Sequence, residues 1–269
     1  MIQKTSLRLA LATLGLASIA AGAVEGAERK IAFVACPMVR NTTLPCWMAA
    51  SQGVLYYLGP QGDLGADFYP PQLGRRALVE ATVTDDPQIC GGVVLKEVTA
   101  SVLPIQDVSC NTILPAEGFP DPPNERGSGP SGVRGAAPPP PRPPPPPPPP
   151  PLPPFKTQTF SATFNADTSR LWRPAQAAIR NAARYAAASK AKTVKVVGYR
   201  ASMKLSDGGA FVEDADIGKE RAEVVAEALS IFGVPKTTKI DVSWKTAPTP
   251  AKGVDEDKEA RRVEISVLP

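Results

Sequence analysis

One arginine stands on what would otherwise be the apolar face of a helix. In the segment DADIGKERAEVVAEAL, apolar residues recur at helical spacing, and Arg221 lies four residues from both Ile217 and Val225. Arg221 also falls in the first turns, where unpaired amides favour an anion and disfavour a cation. A guanidinium beside amide donors suits a carboxylate, so ligand binding is one interpretation of the pattern. The helix pattern alone favours the other interpretation, a side chain that packs along its stem, reaches solvent and pairs with Glu220 or Glu223.

The rest of the composition favours binding over catalysis. The chain has no histidine, which removes the Ser-His-Asp and Cys-His routes to an activated nucleophile. Carboxylate pairs and lysine bases remain open, but no spacing singles one out. No cofactor is indicated, and without histidine or a CxxC motif no metal site is predicted. The formal net charge of +4 includes Lys4 and Arg8 near the start of the chain. Bulk charge therefore does not favour nucleic acid or a membrane surface as a binding partner.

The first 27 residues predict a secretory signal peptide. Lys4 and Arg8 precede the apolar run LALATLGLASIAAGA, and small residues around Ala23 and Ala27 offer cleavage sites. The apolar run is shorter than the roughly 20 residues of a transmembrane helix, so the mature chain is expected to contain no transmembrane segment. We therefore expect a protein of the periplasm or cell envelope, and an association with the outer membrane is compatible with this.

The four cysteines are expected to form disulfides, because export places them in an oxidising compartment. They are Cys36, Cys46, Cys90 and Cys110. Four cysteines allow three pairings, and the sequence does not choose between them. Our expectation is Cys36 with Cys46 and Cys90 with Cys110, since both pairs close short loops.

A proline-rich segment divides the mature chain into two domains. Between Pro138 and Pro154, fifteen of seventeen residues are proline, which predicts a polyproline II rod roughly 50 Å long. With the Pro-, Gly- and Ser-rich residues before it, the linker covers residues 120–154 and separates a domain at 28–119 from one at 155–269. The expected role of the rod is a spacer that holds the domains apart. The alternative is a ligand for a polyproline-reading partner.

Residues 28–119 predict a small all-β domain that contains every cysteine. Short β-branched and aromatic runs alternate with turns rich in Pro, Gly and Asp, and a barrel of the oligonucleotide/oligosaccharide-binding (OB) type fits the strand count. In ALVEATV, Val79 and Ala81 alternate with Glu80 and Thr82, as in a strand with one face in water. Five aromatic residues would either line a surface for sugar rings or fill the core. They are Trp47, Tyr56, Tyr57, Phe68 and Tyr69.

Residues 155–269 predict an α+β domain. TFSATFNADT reads as a strand that ends in a turn, and RPAQAAIRNAARYAAASK reads as an alanine-rich helix that begins near Pro174. TVKVVGYR is a second strand, and the helix that carries Arg221 should stop at Gly233 and Pro235. KIDVSW and RRVEISV supply two more strands. The predicted order is β-α-β-α-β-β, with two helices on one face of a mixed sheet.

These elements resemble a known family. The FNADTSRLWRPAQAAI opening, the VVGY strand, IGKERAEVVAEAL followed by FGVP, and the closing RRVEISV are similar to the C-terminal domain of outer membrane protein A, the OmpA-like peptidoglycan-binding domain. The resemblance covers about residues 155–269, and the first half resembles no family. It implies non-covalent attachment to peptidoglycan through the diaminopimelate residue of the stem peptide, with Arg221 at the position of the family's ligand-binding arginine.

The chain departs from the family at one charged position. In the family an aspartate just after the Gly-Tyr pair holds the ammonium group of the ligand, whereas here Arg200 and Ala201 follow Tyr199. The segment SMKLSDGGAFVED is also longer than the family pattern. The resemblance places Tyr199 at the site and leaves the aspartate position without a carboxylate. The candidates to replace it are Asp207, Asp214 and Asp216.

Together these features predict an exported envelope protein that binds peptidoglycan through its C-terminal domain. The N-terminal domain is expected to contact another envelope protein. The alternative is an OmpA-like fold that has lost diaminopimelate binding and serves as a protein-interaction scaffold in the periplasm. Enzymatic activity is not expected.

Overall fold

The computed structural model describes residues 29–61, 71–120, 154–250 and 259–269. The predicted signal peptide and nearly all of the predicted linker lie outside these ranges. Within the described ranges, no helix has the length and apolar character needed to cross a membrane. The described residues form two regions of regular structure, one made of strands and one of strands with two helices.

The N-terminal region is a seven-stranded sheet that closes on itself. Its strands are β1 (Arg29–Ala35), β2 (Pro37–Arg40), β3 (Cys46–Ser51), β4 (Val54–Pro60), β5 (Arg75–Val83), β6 (Val93–Gln106) and β7 (Thr112–Leu114). β1 and β2 form one bent strand, whose first half pairs with β5 and whose second half pairs with β3. The sheet order is β1-β5-β6-β4-β3-β2-β7. Because β1 and β2 are the two halves of one strand, the sheet closes, and five long strands enclose a core. This closure agrees with the small OB-like barrel that the strand count predicted.

The aromatic residues of the barrel belong to its core. Trp47 and Tyr56 are each 6 % exposed and pack with Phe33 and Val79 inside the barrel, while Tyr57 packs beside Cys46 and Cys90 in a neighbouring cluster. These three rings therefore do not form a surface for sugars, and the core alternative is confirmed for them. Phe68 and Tyr69 lie outside the described residues.

All four cysteines are paired, as predicted, but the expected pairing is wrong. The bonds are Cys36–Cys110 and Cys46–Cys90. In the β2–β3 ladder Cys46 lies opposite Arg40, so Cys36 is about 13 Å further along the strand, beyond the reach of a disulfide. Cys90 and Cys110 lie beyond opposite ends of the 14-residue strand β6, roughly 45 Å apart if the strand is extended. The barrel geometry therefore excludes both short-loop bonds.

The C-terminal region is a four-stranded sheet with two helices on one face and a small hairpin at one end. It contains β8 (Gln158–Thr163), α1 (Arg173–Ala188), β9 (Thr193–Gly198), β10 (Ala201–Lys204), β11 (Ala210–Val212), α2 (Ile217–Ile231), β12 (Lys239–Trp244), β13 (Thr249–Pro250) and β14 (Arg262–Leu268). The main sheet has the order β12-β9-β14-β8, with β12 and β9 parallel and the other pairs antiparallel. The predicted order of elements is confirmed, and the extra length of SMKLSDGGAFVED forms the β10–β11 hairpin.

Packing of α2 on the sheet brings two glycines into contact. A β-carbon on Gly198, at the end of β9, would lie 1.9 Å from the carbonyl oxygen of Gly218 in the first turn of α2. Only glycine permits this approach, which sets the N-terminus of α2 directly over the end of β9. At the other end, Gly233 has a positive φ of 95° and closes the helix where the sequence predicted.

The two regions are packed against each other, contrary to the expectation that a rod holds them apart. The strand registers pair Ala32 with Glu80, and Leu78 with both Val34 and Ser101. Residues that pair in this way share one side of the sheet, which here is the outer side of β1, β5 and β6. We call this surface the docking face. It consists of Ala32, Val34, Leu78, Glu80, Ser101 and Leu103. It covers Ala166, Met203, Leu205 and Phe211 of the C-terminal region.

A buried ion pair lies within this interface. One guanidinium nitrogen, Nη2, of Arg261 donates to both carboxylate oxygens of Glu80 at 2.9 and 2.8 Å, and the two residues are 1 % and 0 % exposed. The alternation in ALVEATV is therefore real, but the face that was expected to contact water contacts the second domain instead.

Disulfide pairing can be tested by removing cysteines two at a time. Replacing Cys36 and Cys110 with Ser should lower the free energy of unfolding of the barrel by about 4 kcal/mol, because the bond closes a loop of 74 residues. Replacing Cys46 and Cys90 should cost a similar amount. Denaturant unfolding measures both losses, and thiol titration of the denatured protein should find no free thiol in either variant.

The informative control removes one cysteine from each bond. A Cys36→Ser, Cys46→Ser variant should expose two free thiols, because Cys90 and Cys110 lie beyond opposite ends of β6. A variant without free thiols would instead support the short-loop pairing and contradict the barrel topology.

Candidate functional site

Arg221 lies in the second turn of α2 and is completely buried, with 0 % of its surface exposed. The helical spacing that places Ile217 and Val225 against the sheet also turns Arg221 inward. Its guanidinium carbon lies 5.2 Å from the ring centre of Phe164, at the start of the loop between β8 and α1. The charge predicted from the helix pattern is therefore in the interior of the domain.

Every N–H donor of the Arg221 guanidinium has an acceptor within the protein. Nε donates to the carbonyl oxygen of Thr168 at 2.9 Å, and Nη1 and Nη2 donate to the carbonyl oxygens of Tyr199 and Asn165 at 3.1 and 2.9 Å. The remaining two N–H groups bind the two carboxylate oxygens of Glu213 at 2.9 and 2.6 Å. A guanidinium has five N–H donors, so none is left for a ligand in this arrangement.

Glu213 supplies the counter-charge of Arg221, and the neighbouring residues Glu220 and Glu223 do not. Glu213 follows β11 directly and is 1 % exposed. Its two oxygens also accept hydrogen bonds from the backbone amides of Ala201 at 2.7 Å and Asp167 at 3.0 Å. A carboxylate thus lies against the amide of Ala201, the residue that stands near the family's missing aspartate.

Asp167 adds a second carboxylate beside this pair. It adopts a positive φ of 46°, which aspartate tolerates better than most residues, and its Oδ1 accepts the amide of Asp214 at 2.7 Å. Burial raises the pKa of Asp167 above its ordinary value, and the nearby charge of Glu213 adds to the increase. The Asp214 hydrogen bond and Arg221 oppose the rise without cancelling it. Asp167 is therefore a carboxylate that a nearby cation would stabilise.

The predicted aspartates occupy different places around the site. Asp214 lies next to Glu213 and close to Asp167, and its Oδ1 accepts the amide of Asp216 at 2.9 Å. Asp216 precedes α2 at the N-cap position, where its side chain makes no capping hydrogen bond. Asp207 lies in the turn of the β10–β11 hairpin and accepts the amide of Gly209. The carboxylate that binds Arg221 thus belongs to Glu213. None of the three predicted aspartates pairs with Arg221 in the described part of the chain.

The ring of Tyr199 lies away from Arg221. Residues alternate in direction along β9, and Tyr199 points to the sheet face opposite the helices, where its hydroxyl donates to Glu264 at 2.9 Å and Arg262 stacks 4.3 Å from its ring centre. Burial raises the pKa of the Tyr199 hydroxyl, and its hydrogen bond to Glu264 acts in the same direction. Only the carbonyl of Tyr199 contributes to the Arg221 site.

Two site residues were missed in the sequence. Glu213 follows Phe211 at the two-residue spacing that places both on one face of β11, and this is the only local sign that Glu213 turns inward. Asp167 lies in the FNADTS segment, where its position suggested no more than a turn. Together with Arg221 they form a cluster of one cation and two carboxylates, in which Arg221 and Glu213 are buried and Asp167 is half-buried. Arg221 can bind a charged group only if some of its internal bonds are exchanged.

Comparison with known proteins gives the family of the C-terminal region. Residues 163–264 match the OmpA family. No curated protein is significantly similar to the chain in sequence.

Several solved structures are similar to part of the chain. The OmpA-like domain of FopA1 from Francisella tularensis subsp. tularensis SCHU S4 is 24% identical over 42% of this chain and 73% of its own, with a TM-score of 0.33. The peptidoglycan-associated lipoprotein from Burkholderia pseudomallei is 26% identical over 40% of this chain and 90% of its own, with a TM-score of 0.31. A MotB-like protein from Desulfovibrio vulgaris is 13% identical over 42% and 75%, with a TM-score of 0.33.

The family match covers the segment that contains Arg221, Glu213 and Asp167. It also covers both helices and the strands from β9 to β13, with one residue at the end of β8 and three at the start of β14. The sequence resemblance and the observed order of elements agree on the same part of the chain. Residues 163–264 of this chain therefore form a domain of the OmpA family.

Proposed function

We propose that this protein is an exported, non-enzymatic component of the cell envelope that binds peptidoglycan non-covalently. The OmpA-like domain would bind the diaminopimelate residue of the stem peptide, and the periplasm, near the outer membrane, would be its location. The observation that carries the proposal is the Arg221–Glu213 pair at the start of α2, within the segment that matches the OmpA family. Glu213 would take the part of the aspartate that Ala201 replaces.

The chemistry of this pair suits a zwitterion. The free end of a diaminopimelate side chain carries an ammonium and a carboxylate on one carbon. If it enters the site, Arg221 can exchange Glu213 for the ligand carboxylate, while Glu213 and Asp167 receive the ammonium. One buried ion pair is then replaced by two, and no charge remains buried without a partner. A ligand with a single charge would leave one member of the pair uncompensated.

A second candidate function follows from the burial of Arg221. Since all five of its donors are satisfied within the protein, the pair can also serve only to fix the β8–α1 loop and the β10–β11 hairpin to α2. The domain would then be an interaction scaffold that has lost its ligand. The N-terminal barrel would act as a contact for another envelope protein in either case.

Removing both charges together separates these two functions. Arg221→Ala alone would leave Glu213 buried without a partner, at a cost of about 3 to 5 kcal/mol, so the suitable variant is Arg221→Met with Glu213→Gln. If the pair binds ligand, its affinity for a diaminopimelate-containing peptide should fall about 10- to 150-fold, as expected for the loss of a charge-assisted pair. Calorimetry measures the affinity, sedimentation with purified peptidoglycan tests the intact wall, and circular dichroism checks the fold.

Two controls sharpen this experiment. Lys239→Met with Asp241→Asn neutralises an exposed pair 2.7 Å apart on β12 and should leave binding unchanged. A lysine-containing peptide, which lacks the second carboxylate, should bind wild type more weakly than the diaminopimelate peptide. Equal binding of peptidoglycan by wild type and the folded Arg221→Met, Glu213→Gln variant would reject the ligand role and favour the scaffold.

The raised pKa of Asp167 predicts a pH dependence of binding. An ammonium group binds the ionised carboxylate, so the affinity of wild type should fall as the pH drops through a pKa that lies above the ordinary 3.8. Asp167→Asn should abolish this step, and Asp207→Asn, in the exposed hairpin turn, should keep it. Calorimetric titrations over a pH series would reveal the step, and identical pH profiles for wild type and Asp167→Asn would exclude Asp167 from the site.

The same shift has a consequence for stability. Because the pKa of Asp167 is higher in the folded than in the unfolded chain, the folded state favours the protonated form. The associated stability is present below the unfolded pKa and is lost as the pH rises through the folded pKa. The free energy of unfolding of Asp167→Asn, relative to that of wild type, should therefore increase as the pH rises from acid to neutral.

A further inference from the structure

The two segments that enclose Arg221 are also the segments that contact the barrel. The first is the start of the β8–α1 loop, where Asn165 and Asp167 contact the Arg221–Glu213 pair. Ala166, between them, is completely buried, and its amide donates to the hydroxyl of Ser101 on the docking face at 3.1 Å. A movement of this loop away from Arg221 would break its contact with the barrel.

The second segment is the β10–β11 hairpin. At its turn, the amide of Ser206 donates to the carbonyl oxygen of Ala32 at 2.7 Å, and the amide of Ala32 donates to the Ser206 hydroxyl at 2.9 Å. Met203 and Phe211 pack on the same part of the docking face. Glu213 lies two residues after Phe211, so the strand that presents the carboxylate to Arg221 is held by the barrel.

The ion pair between the domains makes this contact sensitive to charge. Glu80 and Arg261 are both buried, and the Nε of Arg261 has no hydrogen-bond partner. A buried pair whose donors are only partly satisfied contributes little net stability, yet loss of one partner is strongly destabilising. The carbonyl of Arg261 also accepts the amide of Phe164 at 2.8 Å, and Phe164 is the first residue of the loop that encloses Arg221.

In the docked arrangement a ligand has no route to the guanidinium. Arg221 is fully buried and all its donors are used, so at least one of the two enclosing segments must move before a ligand carboxylate can bind. Both segments are attached to the docking face by hydrogen bonds and apolar contacts. We infer that the barrel is an intramolecular clamp, which keeps the Arg221 site closed while it is docked and releases the site when it separates.

This inference rests on the proposed function, because it concerns regulation of the same site. If only the undocked form binds, the apparent affinity is reduced by the fraction of molecules that are undocked. Linkage is reciprocal, so a peptidoglycan peptide must in turn favour separation of the domains. A protein of this design would hold its wall-binding site closed until a competing partner of the barrel, or the wall itself, displaced the docking face.

The test compares charge reversals in the full-length protein. Glu80→Lys places a cation against Arg261 and should separate the domains. Asp86→Lys reverses an exposed carboxylate of the same barrel, which pairs with Lys96 at 2.9 Å, and should not. Two properties are measured: amide hydrogen exchange at Ala201 and Asp167, whose amides donate to Glu213, and affinity for a diaminopimelate-containing peptide.

The clamp predicts that Glu80→Lys accelerates exchange at both amides and tightens peptide binding about 10-fold, within the usual range of coupling between two sites. Asp86→Lys should match wild type in both measurements. A milder variant, Ser101→Ala with Ser206→Ala, removes two hydrogen bonds between the domains without adding charge. It should shift both measurements in the same direction as Glu80→Lys, and it replaces that variant if the reversed charge unfolds the barrel.

The possible outcomes separate the two proposals. Faster exchange with unchanged or weaker peptide binding would overturn the clamp and leave peptidoglycan binding intact. Unchanged exchange in both interface variants would also overturn it, since the barrel would then not hold the enclosing segments. Faster exchange in proteins that bind neither the peptide nor peptidoglycan would show that the barrel holds the pair closed, but would reject the proposed ligand.

Discussion

A buried guanidinium at the start of α2 is the constraint on which the other features of the C-terminal domain depend. An unpaired charge at the position of Arg221 would be strongly destabilising, and the positive end of the helix offers it no compensation. The protein neutralises it with Glu213 and satisfies its other donors with three carbonyl groups. The path of the β8–α1 loop, the end of β9 and the exit from the β10–β11 hairpin are all set by these bonds.

The same principle extends to the contact between the domains. Arg261, the second fully buried arginine among the described residues, takes its counter-charge from Glu80 of the barrel. Neither glutamate belongs to the helices or the main sheet of the OmpA-like domain. Glu213 comes from the inserted hairpin and Glu80 from the other domain, so the hairpin, the sheet and the barrel are joined by two buried ion pairs. A change in one contact must therefore affect the others.

Local patterns in the sequence were sufficient to predict most of the C-terminal fold. Helical spacing located α2 and its inward arginine, Gly233 marked its end, and alternation identified the strands, because these signals act within a few residues. The partners across the chain were not predictable in this way. Glu213 lies eight residues from Arg221 and reaches it only because the hairpin folds back. Glu80 has the alternation of a water-facing residue, and nothing near it in the sequence indicates a second domain above it.

The barrel shows the same division between local and distant information. Strand patterns in residues 28–119 predicted a small all-β domain, and its closure is observed. The predicted disulfide pairing was wrong because a short loop is a poor guide to pairing when a strand runs between the two cysteines. Cys90 and Cys110 are near in sequence but lie beyond opposite ends of β6. The pairing is decided by where the closed sheet brings the strand ends together, and this depends on the whole barrel.

The most direct test of the central claim is nitrogen-15 NMR of the Arg221 guanidinium in the full-length protein, with its signals assigned by comparison with Arg221→Lys. If all five N–H donors are bound within the protein, the Nη protons should appear as separate signals that exchange slowly with water, since rotation about the Nε–Cζ bond is restricted. A single averaged Nη signal with rapid exchange, as for a solvent-exposed arginine, would contradict the buried pair on which this account of the site and its regulation depends.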